Sequence, residues 1–180
     1  MIDVLLVDDH DLVRTGIRRL LGDADNIRVS DEVACGEDAL EKIKQHRPDV
    51  VLMDLSMPGI GGLEATRKIL QHDPDIGVII LTVHTGDPFP TRLLKAGARG
   101  YLTKDASPDE LVPAIRRIAA GGRHITAEVA ERLATRLLDQ GGVEPYQALS
   151  DRELQVLRLI GRGQSVAEIA AELALSPKTV

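Results

Sequence analysis

Three acidic residues stand where hydrophobic runs end: Asp8 and Asp9 follow IDVLLV, and Asp54 follows DVVLM. A pair and a single carboxylate brought to one sheet edge form a site for a hard divalent cation. Mg²⁺ takes oxygen ligands, keeps several waters, and needs only one or two carboxylates beside a phosphate group. Thr82 closes a third apolar run, GVIIL, and Lys104 follows a fourth short one, RGYL. Asp, Asp, Asp, Thr and Lys, gathered at the carboxyl ends of strands, are a constellation suited to phosphoryl transfer.

For these residues to meet, the segments between them must form a particular kind of sheet. Residues 2–8 are a continuous apolar run, as expected of a strand covered on both faces. Leu12, Val13, Ile17, Leu20 and Leu21 then recur at helical spacing, with Arg14, Arg18 and Arg19 between them. The pattern predicts further strands at 27–34, 49–53, 76–81 and 99–102. It predicts helices over Glu37–His46, Leu63–Gln71, about 88–96 and 108–120. Asp11 reads as an N-cap of the first helix. Five βα units imply a parallel sheet with right-handed crossovers and helices on both faces. Ligands of such sheets lie beyond the carboxyl ends of the strands, where the five residues converge.

Composition narrows the class. The 180 residues suffice for one full domain and a small second one. Aromatic residues make up 2% against 43% hydrophobic, so the core must be aliphatic. No apolar run approaches the roughly 20 residues that span a bilayer, and the first residues lack the basic and apolar regions of a signal peptide. These features lead us to expect a cytoplasmic protein without a membrane partner. The single cysteine, Cys35, excludes an internal disulfide and reads as a small buried hydrophobe. A net charge of −6 argues against bulk attraction to nucleic acid, so any DNA contact must come from a local element.

Gly121-Gly122 stops the last predicted helix of the first domain, which covers 1–121. A linker over 122–148 contains one amphipathic helix, about 126–139, with Val129, Leu133 and Leu137 on one stripe. Gly141-Gly142 through Pro145 reads as a hinge. The segment 149–180 is organised differently. Ser150-x-x-Glu153 and Ser165-x-x-Glu168 are capping boxes, the first leading Leu154, Leu157 and Ile160, the second Ile169 and Leu173. Gly161 and Gly163 end the first helix, and Ser176-Pro177 opens a third. Two short helices, a tight turn and a third helix describe a helix-turn-helix unit.

The segments VDDHDLVRTG, DVVLMDLSMPGIGGLEATR, IILT and AGARGYLTKD resemble the receiver domain of bacterial two-component response regulators. LSDRELQVLRLIGRGQSVAEIAAELALSPKTV resembles the start of the LuxR-type helix-turn-helix of the NarL/FixJ subfamily, and DPFPTRLLKAGARGYLTK resembles the GacA/UvrY-like regulators. The resemblance implies a five-stranded (βα)5 CheY/flavodoxin-like receiver followed by an all-α, incomplete helix-turn-helix domain. It implies that Asp54 is the phosphoacceptor for a sensor histidine kinase. Mg²⁺ would be held by Asp9, Asp54 and the main-chain carbonyl of Ser56, with Asp8 acting directly or through water. Lys104 and Thr82 would contact the phosphoryl group, and Tyr101 would turn inward as Thr82 moves. Pro58 would shape the loop beyond Asp54, and Gly59, Gly61 and Gly62 would permit its turn. Phosphorylation would drive homodimerisation or release of the helix-turn-helix, in a switch rather than a turnover enzyme. His10 and His84 flank the site, but receivers use oxygen ligands, so neither is expected to bind metal.

DNA contacts would fall to the third helix, of which the sequence offers Lys178, Thr179 and Val180. Residues 149–180 carry Arg152, Arg158, Arg162 and Lys178 against Asp151, Glu153, Glu168 and Glu172, with no basic stripe. We therefore expect promoter DNA as a partner of the intact protein but no specific binding by these 180 residues. Residues from about 145 onward are expected to be mobile or buried on another chain. Leu157, Ile160, Ile169 and Leu173 are expected to be poorly covered. Two other functions fit parts of the sequence. A stand-alone receiver could act as a phosphate sink or protein-binding switch. Asp9-His10-Asp11-Leu12-Val13 also fits the DxDx[TV] start of haloacid-dehalogenase-type phosphatases. That family needs a final acidic pair after an apolar strand, whereas Asp105 and Asp109 fall in a loop leading to a helix.

Overall fold

A computed structural model describes residues 1–82, 89–104, 106–127, 129–131, 149–161, 163–173, 175, 176 and 179. Of residues 89–91, 151, 154 and 158 only the backbone is described. His84, Asp105, Leu133, Leu137, the hinge at 141–145, Arg162, Pro177, Lys178 and Val180 lie outside the described residues.

The strands are β1 (Ile2–Val7), β2 (Ile27–Val33), β3 (Val50–Asp54), β4 (Gly77–Thr82), β5 (Gly100–Thr103) and β6 (His124–Ile125). Between them run α1 (Asp11–Gly22), α2 (Gly36–Gln45), α3 (Gly61–His72), α4 (Phe89–Lys95) and α5 (Pro108–Ala119). All strand pairs are parallel, in the order β2-β1-β3-β4-β5-β6. The order reverses between β1 and β3, and their carboxyl ends therefore open a crevice where no crossover helix lies between them.

Alternation along the strands builds two aliphatic layers. Val4 and Leu6, Val50 and Leu52, Ile79 and Leu81 face one way, onto Ile17 and Leu21 of α1 and Leu111, Ile115 and Ile118 of α5. Leu5 and Val7, Val51 and Met53, Val78 and Ile80 face the other way, onto Ala39 and Ile43 of α2, Ala65 and Ile69 of α3 and Leu93 of α4. Both faces being covered, β3 and β4 are buried along their whole length. This explains why they read as unbroken apolar runs rather than alternating ones. The edge strand β2 carries an extra residue opposite the Val4/Leu5 step, and the Ser30 hydroxyl there donates to the Val4 carbonyl.

Three expectations are corrected. The sheet has a sixth strand: β6 pairs in parallel with β5, and Val129 is buried in the α2–α3–α4 layer, so the start of the linker packs onto the sheet of the first domain. Asp11 is the first residue of α1 rather than its cap; His10 is the cap residue, without a side-chain capping bond. In the carboxyl-terminal unit, α6 (Asp151–Gly161) and α7 (Val166–Glu172) form as the two capping boxes predict. There Leu157 and Ile160 are 48% and 52% exposed, as expected, but Ile169 and Leu173 are buried with Leu159 in a small core of their own.

Gly62 is the second residue of α3 and lies directly against the end of β3. A Cβ at this position would lie 1.9 Å from the carbonyl oxygen of Asp54, a backbone atom that no rotamer change can move. Gly62→Ala is therefore expected to lower stability by about 1–3 kcal/mol, measured by urea denaturation; an unchanged midpoint would show that the β3–α3 loop shifts freely.

Candidate functional site: an acidic pocket at the strand ends

The carboxyl ends of β1, β3 and β5 bring Asp8, Asp9, Asp54 and Lys104 together. Asp8 is fully buried and Asp54 is 2% exposed. The Lys104 ammonium lies 2.7 Å from Asp8 Oδ2 and 2.8 Å from Asp54 Oδ2, a bridge between the two carboxylates. Backbone groups fix the remaining oxygens: the His10 N–H donates to Asp8 Oδ1 at 2.8 Å and the Ser56 N–H to Asp54 Oδ1 at 3.2 Å. Arg14, one turn into α1, donates to the Asp8 carbonyl and pairs with Asp11. On the far side of Lys104, its own N–H donates to the Thr82 carbonyl at 2.8 Å, tying β5 to β4. Thr82 and Tyr101 are both buried, Tyr101 as the aromatic side chain of an otherwise aliphatic layer.

Charge dominates this pocket. Burial raises the Asp54 pKa above the usual aspartate range, and the Asp8 carboxylate adds to the rise; Lys104 and the Ser56 amide oppose it without cancelling it. Burial pulls the Lys104 ammonium down, but Asp54 and Asp8 outweigh it and leave its pKa above the ordinary lysine value. Asp8 Oδ2 and Asp54 Oδ2 share the one Lys104 ammonium, and Asp9 Oδ1 has only the His10 ring nitrogen, 2.8 Å away, beside it. Three carboxylates against one ammonium leave the pocket with an excess of negative charge and spare oxygen lone pairs. The donor chemistry therefore fits a divalent cation: one ligand atom from each of Asp8, Asp9, His10 and Asp54 falls within 4.8 Å of the others. The sequence reading set His10 aside; the fold brings it into the cluster.

The loop after Asp54 is held from several directions. Leu55 and Met57 are buried anchors, and Gly59 and Gly61 take φ of +75° and +69°, conformations open to glycine. Glu37 of α2 accepts the Ile60 N–H at 3.0 Å. From the carboxyl-terminal unit, Arg152 donates to the Gly59 carbonyl at 2.6 Å and to Gln155 at 2.9 Å, and also to the Leu173 carbonyl beyond α7. Arg92 of α4 donates to the Leu149 carbonyl at 2.6 Å. Sequence gave no sign of these contacts, because Arg152 reads there as one more charge in a neutral segment. Thr179 is exposed, its hydroxyl 2.8 Å from that of Ser176. The dehalogenase-type reading finds no support: the Asp11 side chain is 89% exposed and paired with Arg14, and Asp109 is exposed in the first turn of α5.

The raised Asp54 pKa has a consequence for stability. A carboxyl that holds its proton more tightly when folded contributes stability below the unfolded aspartate value of about 3.9, and that contribution is lost as pH rises through the folded value. Asp54→Asn is thus expected to have the higher urea midpoint at pH 7 in EDTA, with the difference shrinking towards pH 3. A variant less stable than wild type at pH 7 would show that the Lys104 bridge outweighs burial.

Comparison with known proteins places these features in a wider set. The family model described as "Response regulator receiver domain" matches residues 4–116, and that described as "Bacterial regulatory proteins, luxR family" matches 147–180. The chain is 52% identical to the response regulator UvrY of Escherichia coli strain K12, covering 100% of this chain and 83% of that protein. It is likewise 52% identical to the response regulator GacA of Pseudomonas aeruginosa, covering 100% and 85%. A solved structure of two RcsB dimers bound to two parallel DNAs superposes with a TM-score of 0.66 at 29% identity, over 99% of this chain and 85% of that one.

Proposed function

The chain belongs to the response regulators, with a receiver domain followed by a LuxR-type DNA-binding domain, and from that premise we propose that Asp54 is its phosphoacceptor. The observation that carries this reading is the Lys104 ammonium held 2.8 Å from Asp54 Oδ2 in a buried pocket where three carboxylates face that one cation. The donor is a phosphohistidine of a sensor histidine kinase. An Asp54 carboxylate oxygen forms the new O–P bond as the N–P bond breaks, and the departing imidazole retains the electron pair and takes up a proton. The product is an acyl phosphate.

Residues of this chain prepare that step. The Ser56 N–H orients Asp54 through Oδ1, leaving Oδ2 towards Lys104. As the phosphoryl group arrives, Lys104 exchanges a carboxylate oxygen for a phosphoryl oxygen, and the Thr82 hydroxyl donates to another. Tyr101, buried in the adjoining layer, follows Thr82. Asp9, Asp54 and the Ser56 carbonyl, with Asp8 directly or through water, would hold Mg²⁺, which would supply positive charge against the carboxylates and the arriving phosphoryl group. The chain acts as a switch rather than a turnover enzyme. The partners implied are the kinase, a second copy in a phosphorylation-dependent homodimer and, for the intact protein, promoter DNA reached through the element that contains Lys178 and Thr179. The LuxR-family match over 147–180 and the DNA-bound RcsB dimers support that assignment. Among the described residues no helix is long and apolar enough to cross a membrane, which supports a cytoplasmic site of action.

Incubation with acetyl phosphate and Mg²⁺, followed by intact-mass measurement, tests the assignment. Wild type is expected to gain one phosphoryl group and Asp54→Asn none, with the gain abolished by EDTA. Equal gain in both would move the acceptor to another residue.

A further inference from the structure

We propose that Glu37 is a positioning residue for phosphoryl transfer at Asp54, acting from α2 through the Gly59–Ile60 peptide on the loop that carries Ser56. The inference rests on the reading of Asp54 as the phosphoacceptor. It starts from two hydrogen bonds that share one peptide group. The Glu37 carboxylate accepts the Ile60 N–H at 3.0 Å, and Arg152 donates to the Gly59 carbonyl at 2.6 Å. The N–H and carbonyl of one trans peptide point in opposite directions. The acceptor on α2 therefore also decides where that carbonyl faces.

Two glycines make room for this grip. Gly36 opens α2 immediately before Glu37, and a Cβ there would lie 2.8 Å from both Ile60 Cγ1 and Ala65 Cβ. Ile60 thus sits in a notch over Gly36 while its N–H is held by the next residue of the helix. Gly59 is the second: a side chain there would collide with the Glu37 carboxylate. Two consecutive residues of α2 hold Ile60 by its side chain and by its backbone, although Glu37 itself is exposed. Such a fit is more than an acidic residue needs in order to favour the start of a helix, a role that Asp38 fills equally well from the same first turn.

What Ile60 steadies is a short closed loop. The Gly62 N–H donates to the Leu55 carbonyl at 3.2 Å, closing residues 55–62 into a ring in which Leu55 and Met57 are buried. Ser56 stands between these two anchors, its N–H 3.2 Å from Asp54 Oδ1. That bond is at the long end of the normal range, so a small tilt of the ring breaks it. The Ser56 carbonyl, the expected cation ligand, moves with the same ring. A displacement of about 1 Å at a reacting group can cost on the order of 100-fold in rate. Glu37 restrains that tilt from one edge of the peptide, as Arg152 does from the other.

Two measurements on the 180-residue chain test this. Phosphorylation by acetyl phosphate is followed by intact mass over a series of Mg²⁺ concentrations, and amide hydrogen exchange is followed by NMR in EDTA. Glu37→Ala is expected to need about tenfold more Mg²⁺ for its half-maximal rate. Its Ser56 and Ile60 amides are expected to exchange faster than in wild type, while the amides of α2 keep their protection. Glu37→Gln, whose side-chain oxygen still accepts the Ile60 N–H, is expected to restore both readouts. Asp38→Ala, which removes an equal charge from the same turn, is expected to behave as wild type. Wild-type behaviour of Glu37→Ala overturns the role of Glu37 and leaves Asp54 as the acceptor. So does an equal loss in Glu37→Gln or Asp38→Ala, which would trace the effect to charge, or a general loss of α2 protection, which would trace it to fraying. Failure of wild type to gain a phosphoryl group on Asp54 overturns both readings.

Discussion

Lys104 holds Asp8 and Asp54 in a place that water barely reaches, and much of the architecture can be traced to that requirement. Two carboxylates brought side by side out of water repel each other strongly, and a lone ammonium there is no better placed. One cation between two anions makes the arrangement tolerable while leaving it short of neutral. The geometry demands that β1 and β3 be neighbours, so that Asp8 and Asp54 end level with each other, and that β5 lie one strand further out. The intervening strand, β4, then has helices on both sides and must be apolar throughout, as GVIIL is. A sheet order that reversed elsewhere would have put crossover connections across the pocket mouth.

How much of this was legible before the fold was known differs by element. The long strands and helices were, because unbroken apolar runs and stripes at helical spacing are the two signatures of a sheet buried on both faces. The pocket followed from them: Asp8, Asp54, Thr82 and Lys104 each stand at the end of such a run, so predicting the strands already placed the side chains. The two capping boxes were equally plain, since Ser150 with Glu153 and Ser165 with Glu168 satisfy their bonds within one helical turn.

What escaped reading is what depends on remote parts of the chain. His124–Ile125 is too short to carry any periodicity, and it becomes a strand because β5 offers it an open edge. Val129 was visible as part of a helical stripe, but not the layer it would enter. Asp11 has the residue type of a cap and loses that position to His10, since α1 begins one residue after the loop residue that bonds Asp8. Ile169 and Leu173 find cover from Leu159 within the carboxyl-terminal unit, a contact that stripes drawn helix by helix do not reveal.

The bond from Arg152 to the Gly59 carbonyl has a thermodynamic side. Gly59 is part of the loop that leaves Asp54, and the same guanidinium also grips Gln155 and the Leu173 carbonyl, so a single planar group fastens the start of α6 to the receiver and to its own partner helix. Free-energy couplings run equally in both directions. If a change at Asp54 alters the loop's hold on Arg152 by some factor, then any event that draws α6 away from the loop alters the equilibrium at Asp54 by that same factor. The carboxyl-terminal unit is then more than a listener: its surroundings help decide how readily the receiver is charged.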